Sequence, residues 1–172
     1  MKTKDMTLIA VMAAVLCVLS PLSLSIGPIP LSLASFAVYL AGAVLGARRG
    51  TLAVGLYLLI GIVGAPVFSG FSGGFQKLAG VTGGYLVGYL PCALITGLGA
   101  DCPVPRWKLP VQMILGTGAL YSIGTAWFML QTHNPLGASL GMCVIPFLPG
   151  DAVKIILATL IAPPIRRSVF KK

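Results

Sequence analysis

Asp151 and Lys154 stand in Pro149-Gly-Asp-Ala-Val-Lys154, at the start of the last strongly apolar stretch of the chain. A charge inside a membrane segment costs roughly 2.5–3.5 kcal/mol on insertion scales, so it is rarely kept without a role. Two opposite charges three residues apart lie on one helix face. The carboxylate can accept N–H donors, and the ammonium can meet a carboxylate or a carbonyl, a set suited to a zwitterionic or bifunctional ligand. The plain alternative is an ion pair that satisfies itself and eases insertion. Pro149-Gly150 puts the pair in a first helical turn, where Asp151 is also expected to cap free backbone N–H groups.

Around this pair the sequence offers a second set of candidates. The stretch Gly64 to Gly84 holds seven glycines, with Phe68, Phe71, Phe75 and Tyr85 interleaved. Glycine lets backbone approach a ligand closely, and irregular backbone near membrane depth survives only where protein or a cavity covers it. The stretch therefore reads as a lid or pocket wall, with Gly74 and Gly84 as points of close approach. Phe68 and Phe75 either stack on an apolar ligand or anchor the loop. Lys77 either completes the site or lies in water. Thr82 and Tyr85 bring hydroxyls to the mouth of a helix, although tyrosine is also common at membrane interfaces. Ser25-Ile-Gly-Pro-Ile-Pro-Leu-Ser32, stiffened by Pro28 and Pro30, is a further wall.

Other chemistries lack their parts. No Gly-Lys dipeptide occurs, so there is no P-loop for ATP. His133 is the single histidine, and Cys17, Cys92, Cys102 and Cys143 show no C-x-x-C spacing, so no metal site is expected. No nucleophile pairs with a histidine and no acidic cluster occurs, which argues against a membrane enzyme acting on lipid. The chain reads as a non-catalytic subunit whose energy source lies elsewhere.

The elements that must position these residues are apolar. The chain has 172 residues, is 57% hydrophobic and only 9% charged, against about 25% charged in soluble domains. Its mean hydropathy is +0.99. This composition predicts an all-α integral membrane protein, residues 1–172 forming one transmembrane domain. Six apolar stretches are read as helices, at about 6–22, 33–47, 51–63, 83–100, 110–130 and 147–165. The second and third are short for a span of about 20 residues, so they must be packed inside the bundle, tilted little or extended by flanking loops.

The net charge of +9 does not signal nucleic acid, because the basic residues form no patch. They sort by topology instead. With six helices and both ends in the cytoplasm, ten of twelve basic residues fall on the inner side, from Lys2 and Lys4 through Arg48 and Arg49 to Lys171 and Lys172. The exceptions are Lys77 and Lys154. With Asp151 they are expected near the outer end of the bundle.

Two small-x-x-x-small spacings, Ala10/Ala14 and Gly42/Gly46, would let a partner helix approach closely. Taken in order, Gly27-Pro-Ile-Pro-Leu-Ser32, Leu40-Ala-Gly42, Leu45-Gly46, Tyr57-Leu-Leu59, Gly64-Ala-Pro-Val-Phe-Ser-Gly70, Gly73-Gly74, Thr82-Gly-Gly-Tyr85 and Pro149-Gly-Asp-Ala-Val-Lys154 resemble the BioY family. These are the biotin-specific S-components of energy-coupling factor (ECF) vitamin transporters. The resemblance runs from about residue 8 to 165. Val81 stands where the family usually has proline, and Ala34 where it usually has glutamine.

The resemblance implies a six-helix S-component fold in the plasma membrane of a bacterium or archaeon. It implies capture of biotin from outside, with biotin as transported ligand and no cofactor. It also implies a transmembrane T-component and two ABC-type ATPase subunits as partners, within the lipid bilayer. Ala10 and Ala14 match the family's Ala-x-x-x-Ala contact with the T-component. Biotin suits the residues: Asp151 would accept from the ureido N–H groups, and Lys154 or Lys77 would meet its carboxylate or carbonyl. Tyr85 and the loop aromatics would cover its apolar body. An S-component for riboflavin or thiamine, and a solitary biotin facilitator, are the alternatives.

Overall fold

Away from water a backbone N–H or C=O has only the chain itself to bond, so long apolar runs become helices. A computed structural model describes residues 3–24, 31–101 and 107–170. In chain order the elements are α1 (Thr3–Leu19), β1 (Ser23–Leu24), β2 (Leu31–Ser32), α2 (Ala34–Leu45), α3 (Ala47–Ile62) and α4 (Phe75–Ala79). They continue with α5 (Gly83–Asp101), α6 (Lys108–Thr132), α7 (Leu136–Cys143), a 3-10 turn (Ile145–Phe147) and α8 (Leu148–Val169). The two short strands pair antiparallel, Ser23 with Ser32 and Leu24 with Leu31. Lys2, residues 25–30 of the wall expected at 25–32 (Pro28 and Pro30 among them), Cys102, Arg106, Lys171 and Lys172 lie outside the described residues.

The bundle is built around α2. Every residue of α2 except Phe36 is buried, with α3, α5 and α8 packed against it. At about 1.5 Å per residue it is roughly 18 Å long, well short of a hydrocarbon core of about 30 Å. Burial accounts for this, because a helix wrapped by its neighbours need not match the lipid around it. The Gly42/Gly46 spacing serves this packing: a Cβ on Gly42 would lie 2.7 Å from the Ala93 carbonyl oxygen of α5. Gly46, at φ +84°, turns the chain directly from α2 into α3.

The outer surface is apolar. Val18, Leu59, Val63, Leu130 and Leu160 are all exposed, as on a face that meets acyl chains rather than water. Three helical stretches, Gly83–Ala100, Lys108–Thr132 and Leu136–Val169, are long and apolar enough to cross a membrane.

Polar contacts draw both ends of the described chain to the junction between α2 and α3. Asp5 pairs with Arg49 at 3.1 Å. Lys4 Nζ donates to the Val169 carbonyl at 3.0 Å. Arg166 donates to the Ala43 and Val44 carbonyls at 3.4 and 3.1 Å, and the Phe170 ring lies beneath both Arg49 and Arg166.

Candidate binding site

Asp151 and Lys154 lie on the first turns of α8, 5% and 8% exposed, and form an ion pair of 3.0 Å. The carboxylate does not cap α8. Its Oδ1 accepts from Ser35 Oγ of α2 at 3.0 Å and from Lys154, and its Oδ2 accepts from the Tyr121 hydroxyl of α6 at 2.6 Å. The expected capping role gives way because side chains from two other helices reach the carboxylate. An ionised carboxylate offers about four acceptor positions, and three are taken. One is left without a partner among the described residues. The ammonium is fully occupied: its three donors go to Asp151, to Ser35 Oγ at 2.9 Å and to the Ser32 carbonyl at 2.7 Å. A charge pair this deep is tenable only with such satisfaction, since desolvating two ions costs several kcal/mol each.

These residues form the floor of a cleft whose walls include Phe68, Ser69, Lys77 and Thr82 of the segment between α3 and α5. Tyr85, Leu86 and Tyr89 of α5 line it, as do Leu120 and Tyr121 of α6, then Cys143 and Phe147. The space among them is about 50 Å³, room for only a few waters. Tyr85 stands over Gly124, where a Cβ would enter its ring. Its hydroxyl donates to the Cys143 carbonyl at 3.2 Å, tying α5 to α7 beside the mouth. Phe68 is 1% exposed, lies edge-on to Tyr57 at 5.6 Å, and its ring covers Gly61 of α3.

The structure thus brings Asp151, Lys154, Lys77, Phe68, Thr82 and Tyr85 to one cleft. Three other candidates lie outside its lining. Phe75 is 65% exposed. Gly74 precedes α4 at φ +93°, its N–H donated to the Gly61 carbonyl at 2.7 Å. Gly84 packs against Trp127. Sequence reasoning missed Ser35 and Tyr121, which complete the carboxylate's shell, and also Ser69 and Phe147. Tyr89 was within reach, because it lies four residues after Tyr85 and so on the same helix face. A lone serine in α2 and a lone tyrosine in α6 carry no such signal.

A family model described as the BioY family matches residues 1–171. The chain belongs to the BioY family. Among its relatives, the probable biotin transporter BioY of Pyrococcus horikoshii is 38% identical over 163 residues, covering 94% of this chain and 96% of that one. The biotin transporter BioY of Thermotoga maritima is 38% identical over 142 residues, 82% of this chain and 83% of the relative. That of Rhizobium etli is 36% identical over 174 residues, 94% and 92% of the two. A crystal structure of the S-component for biotin from an ECF-type ABC transporter superposes with a TM-score of 0.86 at 28% identity, over 97% of this chain and 95% of that one. The helical architecture is therefore that of an S-component, and with its apolar helices this family member is a multi-pass membrane protein.

Proposed function

We propose that this chain is the biotin-binding subunit of an ECF transporter, taking biotin at the cleft and delivering it across the membrane. The observation that carries this reading is the Asp151 carboxylate. It is buried, held by Lys154, Ser35 and Tyr121, lines the cleft, and has one acceptor position without a partner among the described residues. Biotin's ureido ring presents N–H donors of the matching kind. Lys154 acts here as a positioning residue, because its donors are all engaged within the protein. Lys77, half-buried on the opposite wall, is the cation for the valerate carboxylate. Tyr85, Thr82 and Phe68 cover the body of the ligand.

The segment 63–82 on one side and α8 on the other line the cleft, so biotin would sit between them. In this reading α1, α2, α3, α5, α6 and α8 form the six-helix membrane bundle, the short α2 enclosed by its neighbours, with the Asp5–Arg49 end and both termini in the cytoplasm. The chain makes and breaks no bonds. A T-component and two ABC-type ATPase subunits supply the energy. The relatives' names and the match to a biotin S-component favour biotin over other vitamins.

Asp151→Asn tests the assignment, since it keeps the shape and removes the charge. A hydrogen bond to a charged group is worth about 1.5–3 kcal/mol, so biotin affinity of the purified protein should fall roughly 10- to 100-fold by calorimetry. Unchanged affinity would sink the role of Asp151.

A further inference from the structure

A second cavity lies away from the polar cleft, on the outer surface of α3. It is a groove of about 690 Å³ lined by Thr51, Gly55, Leu59 and Ile62 of α3, Leu90 of α5 and Ile9 of α1. Its one hydroxyl, on Thr51, donates back to the Ala47 carbonyl at 2.8 Å, so the groove offers an occupant no hydrogen-bond donor. Gly55 forms the floor: a Cβ there would meet only the Leu90 Cδ2 atom, at 3.9 Å. From Thr51 to Ile62 the helix rises about 16 Å, close to half of a hydrocarbon core of about 30 Å. That is the reach of one leaflet's acyl chain, whereas a partner helix would run the full thickness.

The groove has a charged end. Residues 48, 52, 55, 59 and 62 follow the three- and four-residue spacing of one helix face, so Arg48 continues the line of the groove beyond Thr51. Its neighbours are engaged: Arg49 pairs with Asp5, and Arg166 binds the Ala43 and Val44 carbonyls. Arg48 is exposed and has no ion pair among the described residues. An arginine suits the planar, two-point recognition of a phosphate.

We infer that this groove is a binding site for an anionic phospholipid, one acyl chain lying along α3 and the phosphate on Arg48. The site is independent of the biotin cleft, since none of its lining residues is shared with it. Native mass spectrometry of the full chain in detergent tests it, with dioleoyl phosphatidylglycerol and dioleoyl phosphatidylcholine added in equal amounts. Phosphatidylglycerol adducts should survive collisional activation better than phosphatidylcholine adducts. Arg48→Gln should lower phosphatidylglycerol retention roughly 5-fold or more, to the level of phosphatidylcholine. Gly55→Leu, whose Cβ would meet nothing nearer than Leu90 Cδ2 at 3.9 Å, puts side-chain bulk on the floor and should lower retention of both. Thermal unfolding identical to that of the parent chain confirms that each variant is folded.

Unchanged phosphatidylglycerol retention in Arg48→Gln, or unchanged retention of both lipids in Gly55→Leu, overturns the inference. Retained lipid together with lost co-purification of a T-component in Gly55→Leu would assign the groove to a protein helix instead.

Discussion

Lys154 commits all three of its donors to the protein, and Lys77 commits none among the described residues. On the proposed reading the two lysines of the cleft have different work, and a pair of ligands separates them. In Lys77→Gln, biotin binding should weaken roughly 2- to 5-fold, as for loss of a partly screened charge contact. Binding of biotin amide, which lacks the carboxylate, should not change. In Lys154→Gln both ligands should weaken together, because the fault lies in how Asp151 is held. Calorimetry with both ligands on each variant reads the difference, and equal losses for both ligands in Lys77→Gln would reject the carboxylate contact. The charged residues were legible in the sequence because each stands out against apolar surroundings. Ser35 and Tyr121 were not: they lie 116 and 30 residues from Asp151 along the chain, and only the packing of α2 and α6 on α8 joins them.

Among the elements, the contact of Phe68 with Gly61 governs the wall over the cleft. The ring lies where any side chain on Gly61 would go, so Phe68 pins the segment 63–82 to α3. In Gly61→Ala the ring is displaced, with a stability loss of about 1–3 kcal/mol as for other overpacked sites. The displaced wall should also release biotin faster. Scanning calorimetry and a stopped-flow off-rate check both effects, and a lower melting temperature with an unchanged off-rate would show that the wall does not hold the ligand. Apolar runs announced the long helices because hydropathy accumulates over many residues. They could not announce α4 or α7, which are 5 and 8 residues long and lie in stretches rich in glycine or turn residues. Residues of the glycine-rich segment line the cleft, but its internal form depends on close contacts such as Gly73 against the Ala65 carbonyl. Spacing alone does not reveal such contacts.

For the whole molecule, capture and delivery should separate. Ala10 and Ala14 are exposed on α1 and neither lines the cleft. Ala10→Trp should therefore leave biotin affinity within about 2-fold, while uptake into cells carrying the T-component and ATPases falls more than about 10-fold, because a large ring blocks close helix approach. Filter binding and radiolabelled uptake measure the two. Loss of both together would place Ala10 in the fold rather than in a docking surface.

The cleft floor joins residues near the two ends of the chain: Ser32 and Ser35 come early, and Asp151 and Lys154 belong to the final helix, 116 to 122 residues later. The floor is therefore complete only once α8 is in place. A chain halted before α8 has Ser35 and Tyr121 without their carboxylate, and on the proposed assignment it would lack the group that accepts from biotin. Because a ligand that binds only the finished state stabilises that state by mass action, the vitamin favours completed molecules over partly inserted ones. Its supply would then influence how much intact subunit the membrane retains.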